Sequence, residues 1–343
     1  MKFKQFKNIF LVSLLSLCSL YAGAADDFEN NIVKALEADQ LVEAKALFSK
    51  LTEIQKNSLT GTLLQSRLLF RADETEESYD LLAALAEDNK QNADVYYYFG
   101  RSAVVMAQKV SIFSKLGYAS DALEAWQHAL TINPQHQKTL EGIIGFHLGA
   151  PSIAGGDVEQ ALTYSQALIP LDAEKGYASL ARVYWKKEQN DLAEQAILDG
   201  LSITPNSGHL FYTQGLAYSR QAEDDNTQWQ KSRDAFSLAL KNAKTDKEKQ
   251  HTLYQIGKVA VNSGEEINIG IEALEQLITL DSKQYHEWAQ YRLAELYLND
   301  KQLLKAKNLI SSVNYQDDDE LKGKVKSLAK KIKKAVKKQS KVS

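Results

Sequence analysis

The chain has 343 residues, of which 44% are hydrophobic and 25% charged, a balance that is ordinary for a globular protein. Its four prolines and 17 glycines permit long helices and disfavour an architecture of short strands and turns. Because Cys18 is the only cysteine, a disulfide framework within the chain is excluded.

The first 24 residues differ from the rest in charge and hydrophobicity. Three lysines precede an apolar run over residues 9–20, and the small residues Ala22, Gly23 and Ala24 follow it. This order is typical of a secretory signal peptide, and the run is too short for a membrane span. We therefore expect cleavage near Ala24, loss of Cys18 and a periplasmic or secreted location. A retained membrane anchor is the alternative.

Residues 176–205 contain two apolar helical faces separated by a polar break. The first face has the spacing i, i+3, i+4, i+7 and comprises Tyr177, Leu180, Ala181 and Tyr184. The second face includes small residues that permit close helix contact and comprises Ala193, Ile197, Gly200 and Leu201. Pro205 ends the second helix, since proline cannot continue a helix interior. The stretch predicts one helix–turn–helix unit.

This unit resembles the tetratricopeptide repeat, a helix–turn–helix motif of about 34 residues. Ile197 replaces the usual aromatic residue and Gly200 the usual alanine, yet both keep the apolar or small character of their sites. Related units begin near residues 27, 58, 93, 136, 207, 249 and 285. The resemblance implies an all-α, right-handed superhelical solenoid of about eight repeats, with first helices lining a concave face. The chain is similar to exported bacterial tetratricopeptide proteins of undefined role.

The predicted organisation is a signal peptide over 1–24, a solenoid over 25–316 and a tail over 317–343. Within the solenoid, repeats in 25–91 match the family weakly and those in 92–316 more clearly. The third unit has about ten residues more than the standard motif, which predicts a first helix lengthened through Val110. The fourth contains an inserted loop over residues 150–157. Its Asp157 is expected to cap the next helix, and anion binding by the loop amides is the alternative.

No catalytic or metal-binding pattern is present. No two of the six histidines have the spacing that places both on one helix face for a metal, and no nucleophile elbow or phosphate loop occurs. We therefore predict no cofactor, no metal and no enzymatic activity.

The candidate binding surface consists of first-helix positions opposite the packed face, where the family binds its partners. These positions are basic and aromatic, which favours an extended peptide or protein segment with an acidic group or a C-terminal carboxylate. The alternative is that the aromatics pack between repeats and the arginines pair with nearby acids. The predicted residues are Arg67, Arg71, Tyr97, Arg101, Phe146, His147, Arg182, Trp185, Lys186, Tyr212, Arg220, Tyr254, Lys258 and Tyr291.

Residues 321–343 hold ten lysines and no acidic residue, while apolar residues recur every three or four positions from Leu321 to Val336. The pattern predicts a basic amphipathic helix. Two interpretations remain, a capping helix on the last repeat or weak contact with an anionic membrane surface. Nucleic acid is not an expected partner.

The sequence thus favours a non-enzymatic exported scaffold that binds a protein or peptide, in cell-envelope assembly or turnover. The alternatives are a regulatory or substrate-presenting subunit of an envelope enzyme, or a membrane-surface tether.

Overall fold

The computed structural model describes residues 28–280, 285–316 and 318–340, and every regular element in them is a helix. The predicted all-α class is confirmed. The expected signal peptide and its cleavage site lie outside the described residues. The chain divides into two compact units, Met1–Leu168 and Ile169–Ser343. The domain boundaries drawn from the sequence stay a prediction.

The described part of the first unit is a series of antiparallel helix pairs, in which α3 is a short extra turn. A 3-10 turn, Ser152–Ala154, lies in the inserted loop. The helices are α1 (28–37), α2 (Leu41–Ser49), α3 (Glu53–Lys56), α4 (Leu59–Arg71), α5 (Thr75–Asp88), α6 (Ala93–Lys109), α7 (Ile112–Ile132), α8 (Gln137–Gly149) and α9 (Val158–Leu168).

The second unit repeats the same arrangement and adds one further helix after its last pair. The helices are α10 (Ala173–Lys186), α11 (Asn190–Ile203), α12 (Gly208–Gln221), α13 (Gln228–Lys241), α14 (Asp246–Ser263), α15 (Ile267–Thr279), α16 (His286–Asn299), α17 (Leu303–Ser312) and α18 (Asp319–Gln339). Even-numbered helices from α4 to α16 open their pairs and are called first helices below.

Helix starts are fixed by short polar side chains. At eight of them an oxygen of the preceding residue accepts a hydrogen bond from an amide of the first turn, which satisfies a donor that the helix itself cannot. The capping residues are Thr52, Ser58, Asn92, Asp157, Asp172, Ser207, Thr245 and Asp318.

Four helix pairs share one tight turn. Its central residue is Asp39, Asp73, Glu188 or Lys301, each with φ between 59° and 67°. The amide of the following residue bonds back to the helix, as from Gln189 to the Tyr184 carbonyl at 2.9 Å. A side chain in this left-handed region costs about 1 kcal/mol, so the paired helices must hold the turn in place.

Glycines in first helices receive large side chains from second helices. The Trp126 indole packs so closely on α6 that a Cβ on Gly100 would lie 2.7 Å from its Nε1. That nitrogen donates to the Tyr97 carbonyl at 3.0 Å. In the second unit, a Cβ on Gly215 would lie 2.7 Å from Cδ1 of the fully buried Phe236. Close helix contact therefore depends on these missing methyl groups.

The third pair corrects one prediction. The first helix, α6, ends at Lys109 and does not continue through Val110, which is extended with ψ 169°. The second helix, α7, has 21 residues and takes up most of the extra length. Ser111 is also extended, with φ −64° and ψ 159°. The two extended residues interrupt the helix, and α7 begins at the next residue.

The last helix, α18, covers the end of the second unit. Four of its residues are buried and join the apolar cluster of α14, α15, α16 and α17; they are Leu321, Val325, Leu328 and Ile332. Their spacing places them on one face of the helix. The predicted capping helix is confirmed.

Candidate functional site

Four cationic side chains of the first unit converge on one cavity of about 160 Å³. Arg67 and Arg71 lie one turn apart on α4, Arg101 lies on α6, and Lys138 lies in the first turn of α8. The i, i+4 spacing brings the two α4 arginines to one face of their helix. We call this cavity the arginine pocket. Its other lining residues are Leu36, Glu37, Ser66, Phe70, Ser78, Leu82, Tyr97, Tyr98 and Ser102.

Aromatic rings support two of the guanidinium groups. The Cζ atom of Arg101 lies 4.3 Å from the centroid of the Phe70 ring, and that of Arg67 lies 5.0 Å from the centroid of Tyr98. These cation–π contacts fix the planes of the groups without using their N–H donors. Neither arginine forms an ion pair within the described part of the chain. Their donors are therefore available to a ligand.

The acidic side chains near the pocket are fewer than the cations. Arg71 Nη1 lies 2.9 Å from Oδ1 of Asp39, in an ion pair at the surface. Glu37 is the one acid among the lining residues. The pocket therefore carries an excess of positive charge.

Burial and like charge both act on Arg101. Burial lowers the pKa of its guanidinium, and the charges of Arg71 and Arg67 lower it further. Burial also raises the pKa of the Tyr97 and Tyr98 hydroxyls. Arginine nevertheless stays protonated in proteins. A bound anion would relieve the repulsion among the three guanidinium groups.

One wall of the pocket is held by a polar contact between Asp94 of α6 and His136, the residue that precedes α8. Tyr97 packs on the His136 ring with centroids 5.7 Å apart. The His136 ring lies 3.3 Å from Asp94 Oδ1 through Nε2 and 2.6 Å from Thr139 Oγ1 through Nδ1. The hydrogen bond with His136 lowers the pKa of the Asp94 carboxyl, although burial opposes it. Because Thr139 is fully buried, we interpret the contacts of His136 as part of the packing and not as a binding site.

Two predicted surface residues of the first unit are instead buried. Phe146 meets Trp126 edge to face at 6.2 Å, and His147 stacks on Tyr164. His147 Nδ1 lies 3.1 Å from the Gly155 carbonyl, so the ring ties the inserted loop to α8. Only 9% of Phe146 and 4% of His147 is exposed. Both are packing residues, because the loop covers the end of the face on which they lie.

The inserted loop ends as a helix cap. Asp157 Oδ1 accepts from the amides of Glu159 and Gln160 at 2.9 and 3.1 Å. Gly155 has φ 90°, which glycine adopts without strain. The first-turn amides that would bind an anion are thus occupied, and the capping interpretation is confirmed.

The predicted residues of the second unit are spread over its first helices. Arg182, Lys186, Arg220 and Lys258 are exposed, and Trp185, Tyr212 and Tyr254 are half-buried. Desolvation by neighbouring atoms lowers the pKa of the Arg182 guanidinium, although part of this side chain is exposed.

Two predicted aromatic residues of the second unit, Tyr254 and Tyr291, contact other side chains of the same unit. Tyr254 stacks on Tyr285 with centroids 4.6 Å apart, and Tyr291 is buried with its hydroxyl donating to Glu295 at 2.7 Å. Tyr291 is therefore a packing residue.

Sequence reasoning identified Arg67, Arg71, Tyr97 and Arg101 but missed Tyr98 and Lys138. First helices of successive repeats lie side by side, and the contact between α6 and α8 brings Lys138 to Tyr97. The side-by-side packing of first helices was therefore the feature from which Lys138 could have been predicted. Tyr98 follows Tyr97 directly, and the spacing of apolar residues does not show which of the two tyrosines lines the pocket.

Among the described residues, no helix combines the length and the apolar character needed to cross a bilayer. The same residues contain no group of three or more histidine, cysteine, aspartate or glutamate side chains placed to hold a metal ion.

Comparisons with known proteins agree with this architecture. The family model for the tetratricopeptide repeat matches residues 174–207, which include α10 and α11. No curated protein matches the sequence. A tetratricopeptide repeat protein from Parabacteroides merdae ATCC 43184 has a TM-score of 0.51 at 11% identity, over 79% of this chain and 98% of that one. Yeast Tom70 has a TM-score of 0.53 at 13% identity, over 85% and 66% of the two chains.

The chain spans about half the length of a chain in the APC/C hetero-tetramer Cut9–Hcn1. That match covers 85% of this chain and 52% of the other, at 17% identity and a TM-score of 0.49. At such identities the structural matches concern the fold. Repeated α-hairpins with a ligand-sized cavity between first helices define a repeat scaffold. The chain thus contains one matched tetratricopeptide repeat, and the helix pairs of both units resemble it in arrangement.

Proposed function

We propose that the protein is a non-enzymatic adaptor that binds an extended segment of another protein and holds an anionic group of that segment in the arginine pocket. The observation that carries the proposal is the convergence of Arg67, Arg71 and Arg101 on one cavity. A volume of about 160 Å³ suits one terminal group or side chain rather than a whole peptide. The rest of the segment would lie along the neighbouring first helices.

The pocket is arranged to bind an anion at low entropic cost. Arginine donors form paired hydrogen bonds with carboxylate or phosphate oxygens. Because Phe70 and Tyr98 already restrict two of the guanidinium groups, less side-chain freedom is lost on binding. Partial burial also strengthens the electrostatic attraction compared with an open surface.

Peptide binding tests the adaptor function. The probe is a fluorescein-labelled acidic dodecapeptide, and its amidated Asn/Gln counterpart is the reference. We expect the double variant Arg67→Ala, Arg101→Ala to weaken binding of the acidic peptide at least tenfold, as measured by fluorescence anisotropy. The exposed Lys115 on α7 provides a control, because Lys115→Ala removes one charge outside the pocket. Equal affinities for wild type and double variant would exclude the pocket as the binding site.

The proposal includes an exported location and a role in assembly or turnover of the cell envelope. Its support is the leader-like pattern of residues 1–24. Fractionation of cells that produce a C-terminally tagged chain tests it. Retention of the tagged chain in the cytosol at full length would exclude export.

A second candidate function, a tether to an anionic membrane surface, is supported by the free face of α18. Lys322 and Lys324 pair with Asp319 and Glu320. Seven further lysines are exposed and form no ion pair in the described part of the chain. They are Lys326, Lys330, Lys331, Lys333, Lys334, Lys337 and Lys338.

The geometry of α18 limits this contact to electrostatics. Its apolar face is buried in the fold, so no apolar face is left to enter the bilayer. Each lysine near an anionic surface contributes about 1 kcal/mol at physiological salt. We expect the protein to co-sediment with liposomes that contain anionic lipid, to be released by about 0.5 M salt, and to lose binding when the seven lysines become glutamine. Binding that survives the glutamine changes would exclude α18 as the tether.

A further inference from the structure

The floor of the arginine pocket is polar but already satisfied. Ser78 Oγ donates to the Ser66 carbonyl at 2.9 Å and lies 3.2 Å from Ser102 Oγ. All three serines are buried. The floor therefore adds no charge, and the selectivity of the pocket rests with the cations at its wall.

The charges around the pocket do not balance. Four cations, Arg67, Arg71, Arg101 and Lys138, face two acids, Glu37 on the lining and Asp39 on Arg71. The nearby Asp94 does not line the cavity and is bonded to His136. Counted over the lining residues and Asp39, the excess is two positive charges, while Asp94 and Glu141 outside the lining act electrostatically on pocket residues.

A carboxylate is a poor match for this excess. It carries one charge and two oxygens, which one guanidinium satisfies in a bidentate pair. The remaining arginine would stay half-buried and unpaired. A phosphoryl group carries a charge of about −1.5 to −2 near neutral pH and three acceptor oxygens, enough for three donors around it. It also fits a cavity of about 160 Å³, roughly the volume of five waters.

We propose that the arginine pocket binds a phosphoryl group in preference to a carboxylate, with Arg67 and Arg101 as its principal ligands. The inference rests on the proposed function, in that the phosphoryl group is the anionic group of the bound segment. The source is a phosphorylated side chain of the partner. A free phosphate ester shares the same chemistry and is distinguished by the experiment.

The experiment is isothermal titration calorimetry on the full chain. The probes are one peptide sequence in three forms, carrying phosphoserine, glutamate or serine at its centre, together with inorganic phosphate and acetate. We expect the phosphoserine peptide to bind at least tenfold more tightly than the glutamate peptide, and phosphate to compete where acetate does not. Arg101→Gln should remove this preference, and Lys115→Gln should leave it unchanged.

Two of the outcomes distinguish the phosphoryl inference from the adaptor function. Equal or tighter binding of the glutamate peptide, still lost in Arg101→Gln, overturns the phosphoryl inference and leaves the adaptor function standing. Binding of inorganic phosphate without binding of any peptide supports the phosphoryl site and overturns the adaptor function there. No binding by any probe overturns both. Because Arg101 is half-buried, Lys138→Gln at the exposed edge is the second variant, and it should reduce the preference at least threefold in a chain with unchanged thermal unfolding.

Discussion

Replacing Gly215 by alanine is expected to destabilise the second unit, although the same change in an open helix is stabilising. Alanine in a helix interior gains about 1 kcal/mol over glycine. At Gly215, however, the new Cβ would lie 2.7 Å from two carbons of the Phe236 ring, which is fully buried. Overpacking of this kind costs about 1–3 kcal/mol. We expect a net loss of about 1 kcal/mol.

A matched control lies in α18 of the same unit. A Cβ built on Gly323 meets no atom within 4 Å, so Gly323→Ala should gain about 1 kcal/mol. The two variants should therefore differ by about 2 kcal/mol in the free energy of unfolding, measured by urea titration with circular dichroism. Phe236→Leu should partly rescue Gly215→Ala, with a coupling of at least about 0.5 kcal/mol. If Gly215→Ala proved as stabilising as Gly323→Ala, the contact between α12 and α13 would be looser than described.

Three further predictions concern a turn, a hydrogen bond and a cap. Glu188→Gly should stabilise the second unit by about 0.5–1 kcal/mol in the same titration, because φ is 60° at this residue. Asp94→Asn should reduce the loss of stability below about pH 4. The folded-state pKa of the Asp94 carboxyl is depressed below 3.8, so its contribution is present above that pH and lost as the pH falls. Asp157→Ala should cost about 1 kcal/mol through loss of the α9 cap, and Asp157→Asn should cost less. An unchanged acid profile in Asp94→Asn would show that the His136 contact adds no stability.

The helices and their pairing followed from the sequence because apolar spacing reports burial directly. Tyr177 to Pro205 gave both helices of one repeat, and the same spacing identified the others. The turn at Glu188 could not be foreseen, since its left-handed backbone is imposed by the helices on either side and not by a glycine.

The candidate site was only partly predictable. A first helix in a repeat array has one side against its paired helix, one side against the next repeat and one side open to solvent. The spacing of apolar residues alone does not tell which residue lies on which side. Tyr97 lines the arginine pocket, whereas Phe146, which was assigned to the same surface, is buried. The arginines were easier to assign, because a charged side chain is buried only where a specific contact offsets the cost.

The apolar side of α18 occupies the surface on which another hairpin of the same kind would pack. An uncovered surface of that sort is self-complementary in repeat proteins, since each hairpin is built to receive the next. Because α18 covers this surface, a fold that further hairpins could extend keeps a defined particle size. A chain that lacks residues 318–343 should form polydisperse end-to-end assemblies, whereas the full chain should scatter light as a single species.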